Sequence, residues 1–315
     1  MATINQIPDS LSLLRNLKPL IATSSSPIVL TLVKDETTLI EETYHPDPSG
    51  KIEVDLRELV APHLKTVLPT ADIYEQASGS AVFVVQVDEV TAATFRVVNA
   101  GVRKLSTTPT LFLKANWLTW QPQVKKVTWD SPETLSYFFA VAGVVKAKFY
   151  LKAGSSKTIT IGSYSANAFK TFNTRMSYLF ELSGEDTDDL YGYVDVWVET
   201  SLGVQLSYVQ RYVFEPKQGD EKIYLCENSL GGIDTFIFRG ALTQGSAIEH
   251  ASAAAGDTRV DITSEIARSW EQKTGALGIR AARWVFELLS SRQAWAIQDG
   301  NAEPIVISAA PICTS

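Results

Sequence analysis

What most constrains this chain is a two-residue rhythm of apolar and polar side chains, cut at short intervals by glycine- and proline-rich turns. Successive side chains of a strand point to opposite faces, so this rhythm fits half-buried β-strands and not helices. Ile52, Val54 and Leu56 alternate with Glu53, Asp55 and Arg57. Val145, Ala147, Phe149 and Leu151 alternate with Lys146, Lys148, Tyr150 and Lys152. Further strands are expected at 28–33, 38–44, 81–90, 93–99, 157–161, 191–200 and 204–214. The separators carry turn chemistry: Pro46-Asp47-Pro48-Ser49-Gly50, Asn99-Ala100-Gly101, Ala153-Gly154-Ser155-Ser156 and Ser201-Leu202-Gly203.

This punctuation divides the chain into four stretches. Residues 1–26 read as an arm, with Leu11, Leu14 and Leu17 lining one side of a short helix before the linker Thr23-Ser24-Ser25-Ser26-Pro27. Residues 27–115 read as a small antiparallel β domain, and 116–215 as a β-sandwich of immunoglobulin- or fibronectin-like build. Beyond Pro216-Lys217-Gln218-Gly219-Asp220, residues 216–315 form an α+β module. The expected fold class is therefore mainly β: tandem antiparallel β-sandwich modules with a C-terminal α+β module.

The last module carries the densest local signals. A strand leads into Gly231-Gly232, then a second strand covers Ile233 to Phe238. Helical spacing from Ile279 to Ser290 stacks Ala281, Val285 and Leu289, with Trp284 and Leu288 beside them. Arg283 and Glu287 are an i,i+4 pair on its flank. Ala294 to Gln298 and Pro304 to Ser308 read as a hairpin around Asp299-Gly300-Asn301.

The 315 residues are enough to bury a core without disulfides or metals. A formal charge of −7 argues against nucleic acid as a partner, because a duplex binder needs a basic face. Cys226 and Cys313 are too few for a disulfide framework and are expected as free thiols. Asp9, Arg15 and Lys18 interrupt the apolar core that a signal peptide needs. The apolar run from Tyr137 to Val145 is about half a bilayer span. Synthesis in the cytosol without membrane insertion is the expectation.

Reactive sets are sparse. His45, His63 and His250 are isolated and make no zinc spacing, so neither a metal nor a cofactor is expected. There is no Gly-x-Ser-x-Gly elbow and no phosphate-binding lysine loop. Gly231-Gly232 would suit a phosphate loop only before a helix. The strand that follows makes the pair a structural turn needing positive φ. The acidic run Glu185-Asp186-Thr187-Asp188-Asp189 lacks calcium-loop spacing and reads as a solvated loop. Nothing selects a pair of carboxylates for glycoside hydrolysis.

Aromatic residues remain. Trp117, Trp120, Trp129, Tyr191, Tyr193 and Trp197 all fall in the middle module. Packing is their ordinary role in a sandwich. If they bind, Trp117, Trp120, Tyr191 and Tyr193 are the candidate glycan contacts, through the apolar faces of sugars.

Three phrases carry a family resemblance. They are Trp117-Leu118-Thr119-Trp120-Gln121-Pro122-Gln123 with Pro132-Glu133-Thr134-Leu135-Ser136-Tyr137-Phe138, then Asn228-Ser229-Leu230-Gly231-Gly232-Ile233-Asp234, then Lys273-Thr274-Gly275 with Trp284 through Ser290 and the Trp295 strand. In that order, over 117–315, the chain resembles uncharacterised proteins of Bacteroidetes phages and prophages that act as tail-associated structural components. The resemblance implies assembly into a tail-like particle, self-association or contact with neighbouring components, and no assigned functional residues. With the missing catalytic sets, the expected function is that of a non-enzymatic structural or interaction protein. A glycan-binding or adhesion sandwich is the alternative.

Overall fold

The computed structural model describes residues 2–151, 154–184, 190–219, 221–255, 258–275, 277–298 and 300–308. The fold is mainly β, with 47% of residues in strands against 15% in helices, so sheets make the layers and helices fill corners.

The first module packs two sheets face to face. One holds five strands in the spatial order Leu11–Leu13, Val90–Val98, Ser80–Val87, Ile28–Lys34 and Thr37–Tyr44. The other holds Thr3–Gln6, Leu20–Thr23 and Lys51–Val54. Leu30, Leu32, Ile52, Phe83 and Phe95 meet in the core between them. The period-two pattern fixes this outcome, since one register of alternation supplies each inner face. Residues 3–23 differ from the expected arm. They form strands, and Leu17, Leu20 and Ala22 are buried in the module's core, because a leucine-rich segment stabilises more by joining a sheet than by standing free. Asp35-Glu36 and Asp88-Glu89 turn their hairpins with positive φ at both residues, the geometry that suits the strand twist.

The second module repeats the plan with one exchange. Its five-stranded sheet runs Val124–Val127, Gln210–Phe214, Leu190–Glu199, Gly143–Leu151 and Ser156–Tyr164. The first pair is parallel. Opposite lie Thr134–Phe138, Phe169–Asn173 and Ile73–Glu75, the last supplied from within 27–115. A sheet thus crosses the 115/116 division. Helix Met176–Ser183 closes one end with Met176, Leu179, Phe180 and Ser183 inward. Gly184, at φ 65°, ends it by returning its N–H to the Phe180 and Glu181 carbonyls.

The third module has a four-stranded sheet in the order Ile233–Phe238, Lys222–Glu227, Ala294–Gln298 and Asn301–Ile305. Helix Ile279–Leu289 crosses it. Trp284 and Leu288 are its buried residues, while Ala281 and Val285 are half-buried. Glu287 does not depend on Arg283 for a partner: its Oε2 accepts the Ser229 backbone N–H at 2.7 Å. A long hairpin, Leu242–Ala255 with Thr258–Gln272, forms a separate two-stranded sheet.

Candidate functional site: a three-module junction

The turn after Glu227 is built from its own side chain and backbone. Asn228 Oδ1 accepts the N–H groups of Leu230 (2.9 Å) and Gly232 (3.1 Å), and the Gly231 N–H returns to the Asn228 carbonyl at 3.0 Å. Gly231 sits at φ 76°, the left-handed region where a side chain is strained. Positive φ is only half of the reason for glycine here. A Cβ on Gly231 would overlap the Asn99 carbonyl oxygen, and one on Gly232 would overlap that of Leu118. The pair lets three stretches of backbone meet.

Beyond Glu287, the turn's neighbours belong to the other modules. Thr66 Oγ1 donates to the Gly231 carbonyl at 2.8 Å, and the Gly101 N–H to that of Ser229 at 3.1 Å. Asn99 Nδ2 donates to Glu227 Oε1 at 2.9 Å. Asn228 Nδ2 donates to the Leu118 carbonyl at 2.9 Å. Leu230 enters an apolar cluster with Leu13, Val98, Leu113, Leu118, Phe138 and Phe169, a burial that stabilises by about 2 kcal/mol.

Strand Ile233–Phe238 is buried on both faces from Ile233 to Phe236, not on one. Asp234 accepts three donors at its carboxylate: Thr119 Oγ1 (2.6 Å), Asn228 Nδ2 (2.7 Å) and Trp284 Nε1 (2.6 Å). Beside it, Lys125 Nζ donates to Glu133 Oε2 (2.5 Å) and to the Thr235 carbonyl (2.6 Å), and lies 4.9 Å from the Trp284 ring centre. Trp284 stacks on Phe236 at 3.9 Å. Burial pushes the Asp234 carboxyl up, against the pull of its three donors. Burial pushes Glu133 up as well, against the Lys125 ammonium, and among the described residues Glu133 Oε1 has no hydrogen-bond partner. This set has the residue types of an acid–base site. It is sealed from solvent, however, and Asp234 and Lys125 tie the middle module to the last.

The nominated aromatics are not brought together. Trp117 is fully buried, with its Nε1 donating to the Tyr208 carbonyl at 3.1 Å and its ring edge-on to Tyr137 at 5.3 Å. It offers no face to a sugar, because the sandwich core needs its volume. Trp120 is 45% exposed, tethered by Nε1 to Ser229 Oγ at 2.8 Å. Tyr193 lies on the outer face of the five-stranded sheet, 4.5 Å from the Tyr150 ring. Arg211 covers Tyr193 at 4.4 Å while gripping Asp195 through two hydrogen bonds of 2.6 and 2.7 Å. That pairing holds the Arg211 guanidinium firmly protonated. Tyr193 and Tyr150 therefore use their faces on each other and on cations. The side chain of Tyr191 lies outside the described residues, as do Cys313 and the acidic run 185–189. The outward lysines stand on an inner strand: Lys146 Nζ donates to Thr160 Oγ1 at 2.8 Å and Lys148 lies over Tyr150. Cys226 is a buried free thiol, pushed up by burial.

Sequence reasoning placed Gly231 and Gly232 in a turn but missed Asp234, Lys125 and Glu133 as partners. The one legible signal was Asp234, the charged residue of the strand Ile233–Phe238; Lys125 shares its strand with Lys126, and Glu133 precedes the strand Thr134–Phe138. Among the described residues, no three His, Cys, Asp or Glu side chains gather to hold a metal ion. No described helix is long and apolar enough to cross a membrane.

The fold and junction define a multi-module β protein. No known family model matches this sequence, and no curated protein matches it. Among solved structures, the chain is similar to the Bacteroides ovatus mixed-linkage glucan utilization locus SGBP-B in complex with a mixed-linkage heptasaccharide. The identity is 10%, the TM-score 0.22, and the match covers 96% of this chain and 72% of that one. A likeness at that TM-score carries no argument about this chain.

Proposed function

We propose that this protein is a non-enzymatic structural and interaction component that works by contact with other protein chains. A tail-like particle, the setting implied by the three sequence phrases, is where we place it. The observation supporting this reading is the junction at 228–235. The side chains with the chemistry of a site are buried there, and they lock three modules into one base. A rigid base of this kind suits a part whose role is to hold neighbours in place.

Light scattering and electron microscopy of the purified protein, alone and with the products of neighbouring genes, test the reading. Self-assembly or a stable co-complex is expected. A strict monomer that binds none of those products overturns it.

A second reading, glycan binding, is favoured by one observation, the open ring of Trp120. It requires saturable binding of soluble oligosaccharides in calorimetry, lost on Trp120→Ala with folding intact. Equal binding by wild type and variant removes Trp120 as the contact.

A further inference from the structure

The hairpin at 242–272 has the form of a docking arm. Its strands pair antiparallel from Leu242↔Gln272 to Ala255↔Thr258 and make a two-stranded sheet with no third strand among the described residues. Fourteen residues in Leu242–Ala255 reach about 45 Å at roughly 3.4 Å per residue. Isolated two-stranded hairpins are marginal in water, and three or more strands are needed for independent stability. The register also sets Glu249 directly opposite Glu265, a like-charge pairing that weakens a ladder. The base, by contrast, is fixed: Arg239 bonds Glu221 and Glu215 at 2.7 Å each, and Gln272 Nε2 donates to the Gly240 carbonyl at 2.8 Å.

The two edges of the arm are unlike. Exposed edges are normally guarded by charge, by proline or by bulges. Strand Thr258–Gln272 carries Arg259, Asp261, Glu265, Arg268 and Glu271, and its bulge leaves Ile262 without a cross-strand partner. Strand Leu242–Ala255 carries one fixed charge, Glu249, with no lysine, no proline and no bulge residue. Among the described residues no further strand pairs with its outer N–H and C=O groups, which form an open template.

We propose that strand Leu242–Ala255 pairs antiparallel with the same strand of a second copy of this chain, making a four-stranded sheet around a two-fold axis. This deepens the interaction reading and rests on it. Self-pairing closes as a symmetric dimer and leaves only the guarded edges outward. A register that sets Ile248 opposite Ile248 on the two-fold axis places Glu249 opposite Ala247 and keeps the two copies' Glu249 residues from facing each other. Antiparallel pairing also puts the two bases at opposite ends of the shared sheet. Two bodies of formal charge −7 then stand several times farther apart than the Debye length of about 8–10 Å. A parallel pairing would bring them together.

Multi-angle light scattering of the full chain tests the idea. The expected mass is twice that of the monomer, with dissociation on dilution. In the proposed register the double variant Ser246→Lys/His250→Lys sets lysine opposite lysine on either side of the axis and weakens dimerisation by about tenfold or more. Ser264→Lys on the guarded strand leaves the dimer intact. Mixing a Thr243→Cys variant with an Ala253→Cys variant gives an intermolecular disulfide, whereas Ala253→Cys alone gives none. A monomeric wild type, equal sensitivity of both edges to lysine, or cross-linking of Ala253→Cys with itself overturns the pairing. If the wild type is monomeric but still binds a neighbouring gene product, self-pairing fails while the interaction reading stands.

Discussion

The turn at 228–235 and the hairpin at 242–272 are separated by six residues and stabilised in opposite ways. The turn is held by side chains from all three modules, buried charge included. The hairpin pairs through its own backbone ladder and, among the described residues, gains no third strand. One module thus has an end that is over-determined and an end that is under-determined. Local stability follows the density of buried contacts, so damage to the two should be felt very differently.

The sharpest contrast comes from glycine. Gly231→Ala forces a Cβ into the Asn99 carbonyl at a left-handed φ, and we expect a loss of about 3–5 kcal/mol in urea denaturation. Gly245→Ala in the hairpin meets Ser269 Oγ at 3.2 Å and the Ser269 carbonyl oxygen at 3.9 Å and should change stability by less than about 1 kcal/mol. Similar losses at both positions would erase the distinction.

Next in size is Asp234→Ala, which strands three donors and should cost about 3 kcal/mol. Limited proteolysis should then release the last module, whereas Asp234→Asn keeps an acceptor and should lose less.

The pH dependence is subtler. Asp234 and Glu133 are both raised above their ordinary values of 3.8 and 4.5 by burial. The folded protein therefore holds their protons more tightly than the unfolded chain does. Their contribution is fully present below those ordinary values and is lost as pH rises through the folded ones. Glu215, lowered by Lys126 and Arg239, has the opposite sign and loses its contribution as pH falls through its depressed value. Glu133→Gln and Asp234→Asn should each flatten the acid-side rise in stability, read by Trp284 fluorescence. An unchanged slope in both would show that these carboxylates do not couple to folding.

Trp120→Ala should also have a small effect, about 1 kcal/mol from the lost bond to Ser229. A much larger loss would extend the junction out to the surface.

Much of the fold was legible from local pattern. The alternation at 145–152 gave the inner strand Gly143–Leu151, and helical spacing placed Ile279–Leu289 within a residue. Gly231 needed positive φ, as a turn glycine should. What escaped depends on partners distant in sequence. No local pattern tells that Ile73–Glu75 pairs with Phe169–Asn173, or that Gly231 must admit the Asn99 carbonyl. Short helices such as Pro109–Ala115 are set by packing and a Thr108 cap more than by periodicity. The alanines of 247–255 favour helix intrinsically, which hides a strand. Trp117 looked like a platform because type alone does not say which way a tryptophan faces.

The position of Leu230 in the chain has a consequence in time. Its seat is lined by Leu13, Val98, Leu113, Leu118, Phe138 and Phe169, all of which leave the ribosome before it does. A nascent chain that has emerged only through residue 215 carries that seat open to solvent and to any passing chaperone. Completion of the first two modules waits for the third, so protease resistance of the earlier segments should rise only once the 228–235 turn has been made.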